Sequence, residues 1–220
     1  MNRRASTIWF AAVLSAALTM GPAMIKTITK PEVICFGDSI THGAKVNGHS
    51  WVYFLAELHY DIRFINEGRN GRKTSDREEI LPILKRYPDA RAIMIFLGVN
   101  DLKDGNDSMV SICVRNVDWM IKTVRAANPD MKIVILSPCE IDLAAMSRTN
   151  IRKKYNENTL RSLNTLDKRY KALAMKDSVH FVSLLHAVSP GNYVDGLHPN
   201  LPGQQQIAKV VWSRVGKLLN

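Results

Sequence analysis

Several things are scarce in this sequence. It has 220 residues but only three cysteines, Cys35, Cys113 and Cys139. An odd count excludes a disulfide scaffold, and the spacing fits neither a zinc site nor a CxxC redox pair. After export one bridge is permitted, but the sequence does not choose it. There is no G-x-G-x-x-G and no phosphate loop ending in Gly-Lys-Ser/Thr, which argues against nucleotide binding. The formal charge is +10, yet no basic run is interleaved with aromatics, so no nucleic-acid partner is expected. Repeats, low-complexity tracts and linkers are missing too. That leaves one domain, expected over residues 28–220.

What is present begins with a leader-like start. Arg3 and Arg4 precede a mostly apolar stretch at 8–20, followed by Gly21-Pro22-Ala23. This is the pattern of a secretory signal peptide over 1–23. The apolar run is short for a span, which takes about 20 residues. The expectation is an exported protein, periplasmic or secreted, with no stable membrane insertion once the leader is removed. An uncleaved anchor is the alternative.

Five short apolar runs follow: EVICF (32–36), IRFIN (62–66), AIMIFL (92–97), KIVIL (132–136) and VHFVSL (179–184). Continuous apolar runs mark parallel strands covered on both faces. Segments at 51–60, 76–86, 107–127, 150–175 and 201–219 carry apolar residues at helical spacing. Strictly alternating strands and helices predict an α/β fold. Its central parallel sheet of about five strands has helices on both sides. Ligands of such sheets bind beyond the carboxyl ends of the strands. Each of the five strand tails holds a polar group that acyl transfer can use. The tails are GDSITHG, EGRNGRKT, GVNDLKDGND, SPCEID and, after a loop, YVDGLHPN.

A serine hydroxyl becomes a nucleophile only when a base takes its proton. Ser39 follows the first strand. Asp195 and His198 lie three apart in one loop, close enough for the carboxylate to orient the imidazole. Gly71 sits in a glycine-containing turn where backbone N–H can approach a ligand. Asn100 offers a side-chain N–H. The base and donors are what a tetrahedral intermediate needs.

With these residues set out, a resemblance is evident. FGDSITHG, NEGRNGRKT, GVND (98–101) and DGLHPN (195–200) resemble, in order, the blocks of the GDSL-type esterases, or SGNH hydrolases. The resemblance implies a three-layer α/β/α sandwich of flavodoxin-like type. It implies Ser39 as nucleophile, His198 as base and then acid, and Asp195 as its orienter. The oxyanion hole falls to the N–H groups of Ser39 and Gly71 and the side chain of Asn100. No cofactor is implied. The glycine turn looks like that of arylesterase- and acetylesterase-like members, which inclines the reading to short acyl chains on small-molecule or carbohydrate esters. A thioesterase or lysophospholipase of the same family is the alternative. From another class, so is an idle carbohydrate-binding module.

Plainer readings stand beside these. Ser39 alone reads as a helix-cap or turn residue, and Asp38 as a shaper of the turn. His42 lies three residues from Ser39 but lacks an Asp-x-x-His orienter, so His198 is preferred. No second Asp-x-x-His pair occurs, and no metal is expected. Trp51 lines a pocket or sits in the core. Arg69, Arg72, Lys73 and Arg77 either cover a solvated loop or make an electropositive rim that favours anionic substrates.

Overall fold

The computed structural model describes residues 30–219. The leader expected at 1–23 lies outside them. Five strands, β1 (Glu32–Gly37), β2 (Arg63–Gly68), β3 (Ala92–Phe96), β4 (Lys132–Leu136) and β5 (His180–Val182), form one sheet in the order β2-β1-β3-β4-β5. Every pairing is parallel. The register aligns Gly37, Gly68, Phe96, Leu136 and Val182 along one edge. All five strand expectations hold to within a few residues.

Side chains along a strand alternate between faces, and this divides the core in two. Ile34, Phe36, Ile93, Ile95, Ile133 and Ile135 face α3 (Ile80–Arg86), α4 (Asp107–Ala127) and α6 (Glu157–Lys176). Val33, Cys35, Met94, Phe96, Val134 and Leu136 face α2 (Trp51–Leu58) and α7 (Leu201–Leu219). The result is the three-layer sandwich. Asn106 caps α4 by accepting from the Met109 N–H at 3.1 Å, one of the donors a helix start leaves unpaired. All three cysteines are buried and unpaired. Among the described residues no helix is long and apolar enough to cross a membrane.

Three helical expectations shift. The segment at 51–60 ends its helix at Leu58, whose side chain is exposed. The segment at 76–86 begins as a 3-10 helix, Thr74–Glu79, before α3. The segment at 150–175 is two helices, α5 (Arg148–Arg152) and α6, broken at 153–156. Lys154 there takes a left-handed φ of 66°, and Asn156 restarts the chain by accepting from the N–H of Asn158 and Thr159. A polar side chain that competes for backbone donors can end one helix and begin the next without disturbing the apolar spacing.

Candidate active site

The sheet order places a switch point between β1 and β3, whose following segments leave toward opposite faces. A crevice opens at such a point. Ser39 follows β1 and Asn100 follows β3. Gly37 ends β1 so tightly that a Cβ there would lie 2.1 Å from Thr41 Oγ1. The chain then enters a single helical turn, α1 (Ser39–His42), capped by Asp38, whose Oδ1 accepts from the Ile40 N–H at 2.9 Å. Ser39 is thus a first helical residue, and its N–H has no acceptor within the helix.

Ser39 Oγ lies 3.0 Å from His198 Nε2. His198 Nδ1 lies 3.0 Å from both carboxylate oxygens of Asp195. A carboxylate can only accept, so Nδ1 carries the proton and Nε2 is left to accept from the serine hydroxyl. The loop is held from several directions. Asp195 Oδ1 accepts from the N–H of Leu197 and His198. The Asp195 carbonyl accepts from Ser147 N–H and from Asn150 Nδ2. Val194 N–H donates to the His198 carbonyl at 2.8 Å. Partial burial works against the ionised form of Asp195, but the His198 ring, these two N–H groups and the imidazole's charge outweigh it. They hold the carboxyl well below its ordinary range.

The other half of the site is drier. Asn100 is buried, and its Nδ2 donates to the Arg72 carbonyl at 3.2 Å and, at a long 3.4 Å, to Asp38 Oδ2. It therefore bridges the neighbour of Gly71 to the neighbour of Ser39. Gly71 has a left-handed φ of 76°, and a Cβ there would meet open space. Burial pushes the Asp38 carboxyl up to about 6, against the Ile40 N–H and the charge of His198.

His42 is exposed, and Ser39 Oγ bonds His198 instead. Trp51 is a core residue, fully buried, its Nε1 donating to Thr41 Oγ1. The electropositive rim is largely undone. Arg72 is buried: it donates to the Gly37 carbonyl at 2.6 Å, to the Glu67 carbonyl and to Glu79, and lies over the Phe36 ring. Arg69 pairs with Asp76 and Glu79, and Arg77 donates to Asn116. Of the four, Lys73 and Arg77 have no carboxylate within 4.0 Å among the described residues, and Arg77 lies over the Trp119 ring as well as bonding Asn116.

Two contributors escape sequence reasoning. Tyr155, in the break between α5 and α6, is buried and donates its hydroxyl to Asn100 Oδ1 at 2.9 Å. That turns the amide so that Nδ2 faces Arg72 and Asp38. Gln204 on α7 is fully buried, accepting from Trp51 N–H at 2.9 Å and donating to the Ile40 carbonyl at 3.3 Å. It ties the helix after His198 to the turn that carries Ser39. The sole sequence signal for Tyr155 is an aromatic in a polar stretch, KKYNEN. Among the described residues no group of three or more His, Cys, Asp or Glu is placed to hold a metal ion.

Solved structures share this architecture. An inhibitor-bound aryl esterase from M. smegmatis superposes with a TM-score of 0.74 at 20% identity, over 86% of this chain and 99% of its own. A carbohydrate acetylesterase family member from Sinorhizobium meliloti gives 0.73 at 19% identity, over 86% and 98%. TesA gives 0.67 at 22% identity, over 86% and 99%. At these identities the likeness shows the fold. No curated protein matches the sequence. The sequence model of the GDSL-like lipase/acylhydrolase family, however, matches residues 35–206. The chain belongs to that family, and its class is that of the carboxylic ester hydrolases.

Proposed function

We propose that this protein hydrolyses carboxylic esters through an acyl-serine intermediate, with short acyl groups such as acetyl preferred. The observation that carries this is the unbroken chain Ser39 Oγ–His198–Asp195, with 3.0 Å at each link. His198 takes the Ser39 proton as Oγ attacks the ester carbonyl. Asp195 keeps Nδ1 protonated and stabilises the imidazolium that forms. The Ser39 and Gly71 N–H groups and Asn100 Nδ2 hold the oxyanion. His198 returns the proton to the departing alcohol, then activates the water that releases the acid. Short acyl groups are supported by the fold shared with the proteins named acetylesterase and aryl esterase. The basic and apolar pattern at 3–20 supports a signal peptide at 1–23 and export, and the family match over 35–206 supports a hydrolase domain over 28–220.

The test is hydrolysis of p-nitrophenyl esters from acetyl to palmitoyl by wild type, Ser39→Ala and His198→Ala. Each variant should lose about 10⁴-fold or more in kcat, and the double variant little further, because such residues act as a unit. Activity should peak at the short chains. A long-chain optimum would favour a lipid or thioester hydrolase. Full activity in Ser39→Ala would overturn the reading, and inert wild type would turn the search to carbohydrate binding.

A further inference from the structure

Three loops meet beside Asn100, and each brings a lysine. Lys73 follows β2, Lys103 follows β3, and Lys153 ends α5. Hydrogen bonds stitch the loops together. Thr74 N–H donates to both carboxylate oxygens of Asp101, at 3.1 and 3.0 Å, and Asp104 N–H donates to the Lys154 carbonyl at 2.8 Å. Every lysine stands one to three residues from a group that touches the Asn100 amide or from Asn100 itself. Lys73 follows Arg72, whose carbonyl accepts from Nδ2. Lys153 precedes Tyr155 by two, and Tyr155 donates to Oδ1. Lys103 follows Asn100 by three and holds its Nζ 5.4 Å from the Tyr155 ring centre.

These cations form no ion pair: among the described residues none of the three ammonium groups has a carboxylate within 4.0 Å. The nearby acids are committed to other donors: Asp101 to Thr74, Asp76 to Arg69 and the Lys73 N–H, Asp104 to Asn156 and Asn158. Lys103, desolvated first of all and then repelled by Lys73 and Lys153, is held below its ordinary range against the pull of Asp101. Opposite them, the His198 side carries Asp195, with Asp142 bonded through its N–H to the Gly196 carbonyl. The loops beside Asn100 thus carry three ammonium groups outside any ion pair, near the carboxylates of Asp38 and Asp101, while the His198 loop carries Asp195.

We propose that Lys73, Lys103 and Lys153 form a subsite for a carboxylate carried by the ester substrate, on the Asn100 side of the cleft. The proposal rests on the ester-hydrolase reading and adds the substrate's charge. Like-signed groups from three loops with no internal partner cost self-repulsion that an anionic ligand relieves. Lysine supplies point charges on flexible stems, suited to an anion of variable position rather than a fixed bidentate fit.

The experiment compares kcat/KM for 3- and 4-acetoxybenzoate with the matching acetoxybenzamides. The proteins are wild type, Lys73→Gln/Lys103→Gln/Lys153→Gln, the single variant Lys153→Gln, and Lys122→Gln, whose lysine pairs with Asp118 elsewhere on α4. The anion-to-neutral ratio should fall roughly tenfold in the triple variant and in part in the single one, mainly through KM. Lys122→Gln should keep the wild-type ratio. In wild type the ratio should also fall as ionic strength rises from about 0.01 M to about 0.5 M. A ratio unmoved by both salt and the substitutions, with all four esters turned over, overturns the subsite alone. So does an equal fall in Lys122→Gln. No turnover of any ester by wild type overturns the catalytic reading and the subsite with it.

Discussion

Asp38, beside Ser39, and Asp195, bonded to His198, live in opposite surroundings. Asp195 accepts from the His198 ring and from two backbone N–H groups, and is held ionised. Asp38 is buried with one N–H at 2.9 Å and one amide at a long 3.4 Å, and is pushed up to about 6. Donor count and burial, not residue type, separate a carboxylate that serves as a permanent charge from one that takes a proton near neutrality. On the proposed reading, the base side carries charge before substrate arrives, and the oxyanion side holds the buried Asn100 amide ready for charge that develops there.

The largest test of this contrast removes the charge on the base side. Asp195→Asn leaves the shape but offers His198 a donor at Nδ1, and kcat should fall about 10³- to 10⁴-fold with KM little changed. A loss under tenfold in single-turnover measurements would mean that His198 is oriented by something else. Next comes the oxyanion side. Asn100→Ala should cost about 10²- to 10³-fold in kcat, the range for one such donor. A rise in KM at unchanged kcat would reassign Asn100 to ground-state binding.

The two carboxylates should also pull stability in opposite directions with pH. Asp38 goes from an ordinary 3.8 to about 6 in the fold. Between those values the folded state keeps a proton that the unfolded chain has lost, so stability from this group is present at low pH and fades as pH rises. The full swing is about 3 kcal/mol. Asp195, held low, contributes above the ordinary carboxylate range and loses its contribution as pH falls below it. In urea unfolding from pH 4 to 7, the midpoint of Asp38→Asn should gain on wild type as pH rises. Parallel curves would show that Asp38 titrates normally. The smallest effect is at Tyr155. Tyr155→Phe should lower kcat about tenfold with KM unchanged, and cost almost nothing further in an Asn100→Ala background, because the hydroxyl acts through that amide.

The legible parts of the molecule share a physical cause. β3 is buried at every position, and β1 and β4 nearly so, so composition alone marked them. The polar tails were legible because chemistry needs specific groups at strand ends. Arg72 was not legible, since a guanidinium that turns inward to bond the Gly37 carbonyl and lie on Phe36 reads, in sequence, like its solvated neighbour Arg69. Nor was the break at 153–156, because the apolar spacing of Leu160, Leu163 and Leu166 continues past it while Asn156 quietly supplies the cap. Tyr155 was hidden for the same reason: its partner Asn100 is 55 residues away in the chain.

The most direct test of the central claim is to trap the serine. Wild type, Ser39→Ala and His198→Ala would be incubated with a fluorophosphonate, and the adduct located by peptide mass spectrometry. The account predicts stoichiometric phosphonylation at Ser39 in wild type, none at that position in Ser39→Ala, and labelling slowed by orders of magnitude in His198→Ala. An unlabelled Ser39 in enzyme that hydrolyses esters, or labelling undiminished by loss of His198, would contradict it.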